Sequence, residues 1–328
     1  MDLHQGIVRG ALATPQQPQY HRCLFPVSGP LAMFSGSFVA LVTPMKDDGA
    51  LDFGCLERLV DWHMEQGTDG LVIAGTTGEA STLTKAEHVE VIRVAAHRAA
   101  GRIPVIAGTG SNSTAQTIDL SRTVGGLPVD GYLVVTPYYN KPTQTGMYEH
   151  FKAVAEAVNI PVCVYNIPGR TGKNIEVETI VRLADLPGIT MVKEATGSLD
   201  QCSSVLASTN LTVLSGDDSL TLPMMSVGAE GVISVVGNVI PEDVIAMVRA
   251  ASEGDYTTAR SWHHKLFPLC RDMLGLATNP IPIKTAMQML GRDTGELRLP
   301  MTPLEDAQVR LLAATMNAYG LAQTVQIG

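Results

Sequence analysis

The stretch "ITMVKEATG", residues 189–197, poses the question on which the fold turns. Ile189, Met191 and Val192 make a short apolar run, and a run of this kind suits a strand buried on both faces, as in a parallel sheet. It then ends on Lys193, whose ammonium group water solvates strongly. A lysine closing a strand can bury its stem and send its head to solvent. The other reading is that burial is its purpose. A free lysine titrates near ~10.4, and desolvation favours the neutral amine, which can attack a carbonyl carbon.

Seven further runs resemble this one: "FVALVT" (38–43), "GLVIAG" (70–75), "PVIAG" (104–108), "YLVVT" (132–136), "PVCVYN" (161–166), "TVLSG" (212–216) and "GVISVV" (231–236). With "TMVKE" (190–194) they predict eight strands. Amphipathic segments separate them. In "LDFGCLERLVDWHMEQG" (51–67), for example, Leu56, Leu59, Val60 and His63 fall near one helical face. Eight strand-then-helix units in about 220 residues predict an α/β fold, a (β/α)8 barrel, with an open doubly wound sheet as the alternative. Helical patterns continue at 241–253, 255–275, 280–290 and 302–318, and the barrel needs only the first. The expected organisation is a barrel over 33–253 and a C-terminal helical region over 254–328, with "NPIPIK" (279–284) as a proline-rich joint.

Composition narrows the function classes. The 328 residues are 45% hydrophobic and 17% charged, with a net charge of −9. Without a long basic cluster, nucleic acid is not expected as a partner. No apolar run reaches the ~20 residues of a membrane helix. Cys23, Cys55, Cys163, Cys202 and Cys270 are scattered and odd in number, with no C-x-x-C pair. They read as reduced thiols of a cytoplasmic protein rather than zinc ligands or a disulfide framework. The first 32 residues, rich in Pro and Gln, show no period and no secretory signal. They are expected to be a disordered extension, or sequence ahead of a natural start at Met33, with an organelle-targeting segment, poor in arginine, as the third reading.

In such a barrel the active site lies at the C-terminal ends of the strands. Those ends read "GTTGE" (75–79), "GTGSN" (108–112), "TPYYNKP" (136–142), "YNIPGRTG" (165–172), Lys193 and "SGDD" (215–218). Threonines, tyrosines, an arginine and a lysine thus converge on one rim, which favours the functional reading of Lys193. Tyr165 sits one strand away from it and can donate or accept a proton. Taken singly, Tyr165 also reads as an ordinary core aromatic. Glycines in "GTTGE" offer backbone N–H groups to an anion. Lys284, in an apolar run beyond the barrel, is the rival nucleophile.

"GTTGE", "TPYYNKPTQTGMYEHF", "YNIPGRTG", "VKEATG" and "SGDD…GVISV", together with the opening "MFSGSFVALVTPM", resemble the 4-hydroxy-tetrahydrodipicolinate (dihydrodipicolinate) synthases from about Met33 to Tyr319. The resemblance implies a (β/α)8 barrel with C-terminal helices, a homotetramer built from two tight dimers, and no metal or organic cofactor. It implies condensation of pyruvate with L-aspartate 4-semialdehyde in lysine and diaminopimelate synthesis. By motif, Lys193 corresponds to the Schiff-base lysine, Tyr165 to the proton-transferring tyrosine, and Thr77 to the hydroxyl linking the tyrosines. Tyr139 corresponds to the tyrosine that reaches into the neighbouring subunit's site. Thr76 and Thr77 are expected to hold the pyruvate carboxylate through backbone N–H groups, Arg170 the semialdehyde carboxylate, and Gly216 and Ile233 to line the pyruvate pocket.

Two rivals stay open at this point. One is a pyruvate-dependent aldolase acting on sugar acids, against which "GRTG" (169–172) argues. The other is a barrel kept as a regulator without catalysis. The family's lysine-effector positions resemble Ala80, Ser81, Lys85, His88, Asn112, Gln116 and Tyr138. In the strongly inhibited bacterial pattern the positions of Lys85 and Gln116 carry histidine and glutamate. Here a cation replaces the first and the second loses its carboxylate, so weak lysine inhibition or none is expected. His88 reads either as a solvated helix residue or as an effector contact.

Overall fold

The structure, a computed structural model, describes residues 34–321. The expected extension over 1–32, the start at Met33, Cys23 and the last seven residues lie outside the described residues. Eight parallel strands close into a barrel in sequence order: β1 (Gly36–Ala40), β2 (Gly70–Ile73), β3 (Val105–Gly108), β4 (Gly131–Val135), β5 (Val162–Asn166), β6 (Ile189–Glu194), β7 (Thr212–Ser215) and β8 (Gly231–Ser234). The open-sheet alternative is excluded by the seam, where β1 pairs with β8 in parallel. Gly231 makes that seam possible. Its φ is +147°, and a Cβ there would stand 1.9 Å from the Gly36 carbonyl oxygen.

Between the strands run α1 (Phe53–Glu65), α2 (Lys85–Ala99), α3 (Thr114–Val124), α4 (Gln144–Ala157), the short α5 (Pro168–Thr171), α6 (Val177–Ala184), α7 (Leu199–Ser208) and α8 (Thr221–Ser226). Then follow α9 (Pro241–Ser252), α10 (Tyr256–Gly275), α11 (Ile281–Met289) and α12 (Asp306–Tyr319). Local chemistry sets the helix starts. The Asp52 carboxylate accepts from the Cys55 N–H at 2.8 Å, and Thr84 with Glu87 forms a reciprocal capping box on α2. The predicted face of α1 is the buried one, with Leu56, Leu59, Val60 and His63 all inside.

Strand period divides the apolar residues into two cores. Phe38, Val72, Ile106, Leu133, Cys163, Met191, Leu214 and Ile233 fill the barrel interior, while Val39, Leu71, Val164, Val192 and Val213 pack outward against the helices. Several strands end earlier than predicted because the backbone leaves the sheet at the rim. Ala74, at φ +53°, turns β2 into the "GTTGE" loop. Beyond β8, the N–H groups of Val235 and Val236 donate to the buried Asp218 carboxylate instead of a strand.

Candidate active site

Period-2 geometry answers the question raised by "ITMVKEATG". Met191 faces the barrel interior, so Lys193, two residues on, points the same way one layer higher. Cys163 and Tyr165 do the same on β5, and the register pairs Tyr165 directly with Lys193. Lys193 Nζ stands 4.4 Å from the centroid of the Tyr165 ring. Lys193 is only 5% exposed, so its head does not reach solvent freely, and it has no ion pair among the described residues. Lys284 differs. It is fully buried, but its ammonium donates to Glu79 at 2.8 Å and to the Thr43 carbonyl at 3.0 Å. Of the two buried lysines, only Lys193 is uncommitted. Below it, burial pushes the Cys163 thiol up to about 12, which keeps that thiol protonated at neutral pH.

Of the remaining groups, Gly216 stands beside this lysine and the others lie at strand ends, in the loops that follow them, or on the interior wall. A Cβ at Gly216 would come within 3.1 Å of Lys193 Cε, so the glycine leaves room for the lysine stem. Ile233 lies in the interior core on β8. Thr77 is buried and Thr76 half-buried in the turn after β2. Neither of their N–H groups donates to a protein acceptor among the described residues. Arg170, on α5, is exposed and donates to the Asn279 carbonyl at 2.9 Å. The Tyr165 hydroxyl and Thr77 are not hydrogen-bonded to each other among the described residues.

A cavity of about 560 Å3 opens at this rim, lined by Thr76, Tyr165, Arg170 and Tyr138 among others. It continues past Ala80, Ser81, Lys85, His88 and Gln116, so those effector candidates share one hollow with Thr76, Tyr165 and Arg170, whereas Lys193, Thr77, Gly216 and Ile233 are not on its wall. Asn112 is not on its wall, but its carbonyl accepts from the Asn140 side chain at 2.8 Å. The solvated reading of His88 is corrected: the ring is buried and its Nε2 donates to the Gly108 carbonyl at 2.7 Å. Desolvation lowers its pKa, favouring the neutral ring. Lys85 is ion-paired with Asp119. Tyr139 does not enter its own chain's cavity. It stands 88% exposed at φ +70°, a conformation uncommon for any residue but glycine.

Sequence reasoning missed one contributor. Asn279, between α10 and α11, donates from its side-chain amide to Thr77 Oγ1 at 3.0 Å. The proline-rich joint around it carries no local signal of this contact.

The chain matches the model of the dihydrodipicolinate synthetase family over residues 33–319. It is 52% identical over 291 residues to the 4-hydroxy-tetrahydrodipicolinate synthase of Pelobacter propionicus, covering 88% of this chain and all of that one. Its fold matches the crystal structure of dihydrodipicolinate synthase from Aquifex aeolicus, with a TM-score of 0.87, 47% identity, and coverage of 89% of this chain and 100% of the other. It also matches the chloride-inhibited dihydrodipicolinate synthase of Acinetobacter baumannii complexed with pyruvate, with a TM-score of 0.85, 44% identity, and coverage of 88% and 99%. On sequence, fold and rim chemistry together, this chain belongs to the dihydrodipicolinate synthetase family, the enzymes that condense pyruvate with L-aspartate 4-semialdehyde on the route to diaminopimelate and lysine.

Proposed function

We propose that Lys193 is the nucleophile in the condensation of pyruvate with L-aspartate 4-semialdehyde that this chain catalyses. The observation that carries this is the contrast between two buried lysines, one ion-paired and one free beside Tyr165. The neutral amine adds to the keto carbon of pyruvate, and loss of water leaves an iminium. The iminium is an electron sink, so the methyl group loses a proton and the resulting enamine attacks the aldehyde carbon. Tyr165 serves as the proton carrier nearest the amine, and Thr77 connects it to a second tyrosine. The free N–H groups of Thr76 and Thr77 suit the pyruvate carboxylate. The Arg170 guanidinium suits the semialdehyde carboxylate in a two-pronged contact. Both substrates are anions and the chain carries a net −9, so these local donors offset the global repulsion. Gly216 and Ile233 line the pocket around the bound pyruvate.

Tyr139 acts in the partner's site, and the assembly is a homotetramer built from two tight dimers, working in the cytoplasm. The exposure and left-handed backbone of Tyr139 support this reading, since its side chain projects away from its own chain's cavity and its hydroxyl makes no hydrogen bond among the described residues. Lysine inhibits weakly or not at all. Lys85 places a cation where an effector's ammonium would sit, and it engages the nearby Asp119 carboxylate. Half-inhibition is therefore expected only above millimolar lysine; half-inhibition at sub-millimolar lysine contradicts this.

Borohydride reduction in the presence of pyruvate tests the central claim. The expected result is a stable adduct on Lys193 and none on Lys193→Ala. An adduct on Lys284 in that variant moves the nucleophile and overturns the assignment.

A further inference from the structure

Glu194 follows Lys193 at the end of β6, and the strand's alternation turns it to the opposite face, toward α7. It is 2% exposed and has no ion pair among the described residues. Its Oε1 accepts from the Thr196 N–H at 2.7 Å, and its Oε2 from the side-chain amides of Gln201 at 3.3 Å and Asn166 at 3.4 Å. Backbone groups fix the orientation of both amides. Asn166 Oδ1 accepts from the Ile175 N–H at 3.1 Å, and Gln201 Nε2 donates to the Ile175 carbonyl at 3.0 Å. Three N–H donors suit a carboxylate and offer nothing to the proton of a neutral acid. A buried charge is ordinarily paired with an opposite one. The reaction supplies that opposite charge. Addition of the Lys193 amine to a keto carbon, with the keto oxygen leaving as water, takes up one proton and leaves a cationic iminium nitrogen. We infer that Glu194 is a positioning residue that acts through Lys193: its buried carboxylate, on the far side of the same strand, favours the cationic forms of the lysine nitrogen. This rests on the reading of Lys193 as the nucleophile.

Among the described residues, the neighbours of these two groups are neutral or committed elsewhere. On β5, burial keeps the Cys163 thiol protonated, and Tyr165 presents its ring to the lysine. On α7, burial pushes the Cys202 thiol up to about 11, and Asp200 is exposed. Glu178 and Arg182 of α6 are exposed, and Arg182 lies over the Tyr148 ring. β7 carries no charged residue, and beyond it Asp217 accepts from Ser219 and Asp218 from Val235 and Val236. Glu194 is thus the buried carboxylate placed directly behind the lysine, and its effect on the nitrogen is one of charge rather than contact.

The test follows, against pH, the rate at which cyanoborohydride traps pyruvate on the protein. A carboxylate that favours the protonated amine delays release of the neutral nucleophile to higher pH. Removing that charge should therefore move the acid limb of the profile to lower pH. Glu194→Gln is expected to move it by about 0.5 unit or more. Gln201→Lys sets an ammonium against the carboxylate and should move the limb the same way. Gln201→Met removes a donor but keeps the charge, and should hold the limb within about 0.2 unit of the parent, whatever it does to the rate. An unmoved limb in Glu194→Gln overturns the inference, and so does an unmoved limb in Gln201→Lys where Glu194→Gln does not fold. An equal shift in Gln201→Met also overturns it, because packing and not charge then moves the limb. If Lys193→Ala still forms the adduct, the reading of Lys193 fails first. If it forms none and the limb stays fixed in the charge variants, only the inference about Glu194 fails.

Discussion

A methyl group added at Gly216 would lie 2.7 Å from Ala195 Cβ and 3.1 Å from Lys193 Cε. Both neighbours are on the end of β6 or just past it, so the clash cannot be relieved without moving the lysine. Displacement of a reacting group by about 1 Å can cost on the order of 100-fold in rate. Gly216→Ala is thus expected to fold, by circular dichroism, and to lose about 10- to 100-fold in kcat. The rate of borohydride-trapped adduct formation should fall with it. Turnover within twofold of the parent would show that Lys193 tolerates a Cβ at its side.

At the scale of elements, α11 is tied to the turn after β2 by a pair of buried charges. The Glu79 carboxylate accepts from Lys284 at 2.8 Å, and its other oxygen accepts from the Arg298 N–H at 3.3 Å. Arg298 in turn holds Glu87 of α2 with two hydrogen bonds, of 2.6 and 2.9 Å. Removing one partner of a buried pair leaves the other charge uncompensated, at about 3–5 kcal/mol. Lys284→Met is expected to lose stability of that order in denaturant unfolding, and a loss below about 1 kcal/mol would refute the pairing's importance. Asp293 lies close enough to feel both charges, and burial raises its carboxyl to about 6. In an unfolded chain such a group titrates near ~4, so between those two values the folded protein binds more protons than the unfolded one. Stability from this group therefore falls as pH rises from about 4 to about 6, by up to ~3 kcal/mol. Asp293→Asn should remove that slope. The difference in unfolding free energy between parent and variant, followed across this range, reads it directly, and a constant difference would mean that Asp293 titrates normally.

For the whole molecule, the placement of Tyr139 decides whether a single chain can hold a complete site. An exposed tyrosine acting in the partner's site predicts complementation between two inactive proteins. Mixing Tyr139→Phe with Lys193→Ala creates dimers in which one site has both an intact lysine and an intact partner tyrosine. Random pairing at equal amounts should restore about a quarter of parental activity. If Tyr139 acted in its own chain, no mixed dimer would contain a complete site, and activity would stay at the level of the separate variants.

The eight strands, their order and the lysine at the end of the sixth were legible in the sequence, because apolar runs and their period are local properties of the chain. So were Tyr165, one strand over, and the convergence of hydroxyls at the rim, once the fold class placed all strand ends on one side. The rim position favoured Lys193 over Lys284 from sequence alone, but the partner that commits Lys284 was not legible. That ion pair joins residues 205 positions apart. Asn279 and Thr77 are separated by 202 positions, and nothing near either announces the other. His88 looked like a residue of a polar helix until the neighbouring strand end supplied its acceptor at Gly108. Pattern within a segment reports which face is buried. Only closure of the barrel and docking of the C-terminal helices bring distant polar groups within hydrogen-bond distance, and that is what leaves Lys284 paired while Lys193 has no ion pair among the described residues.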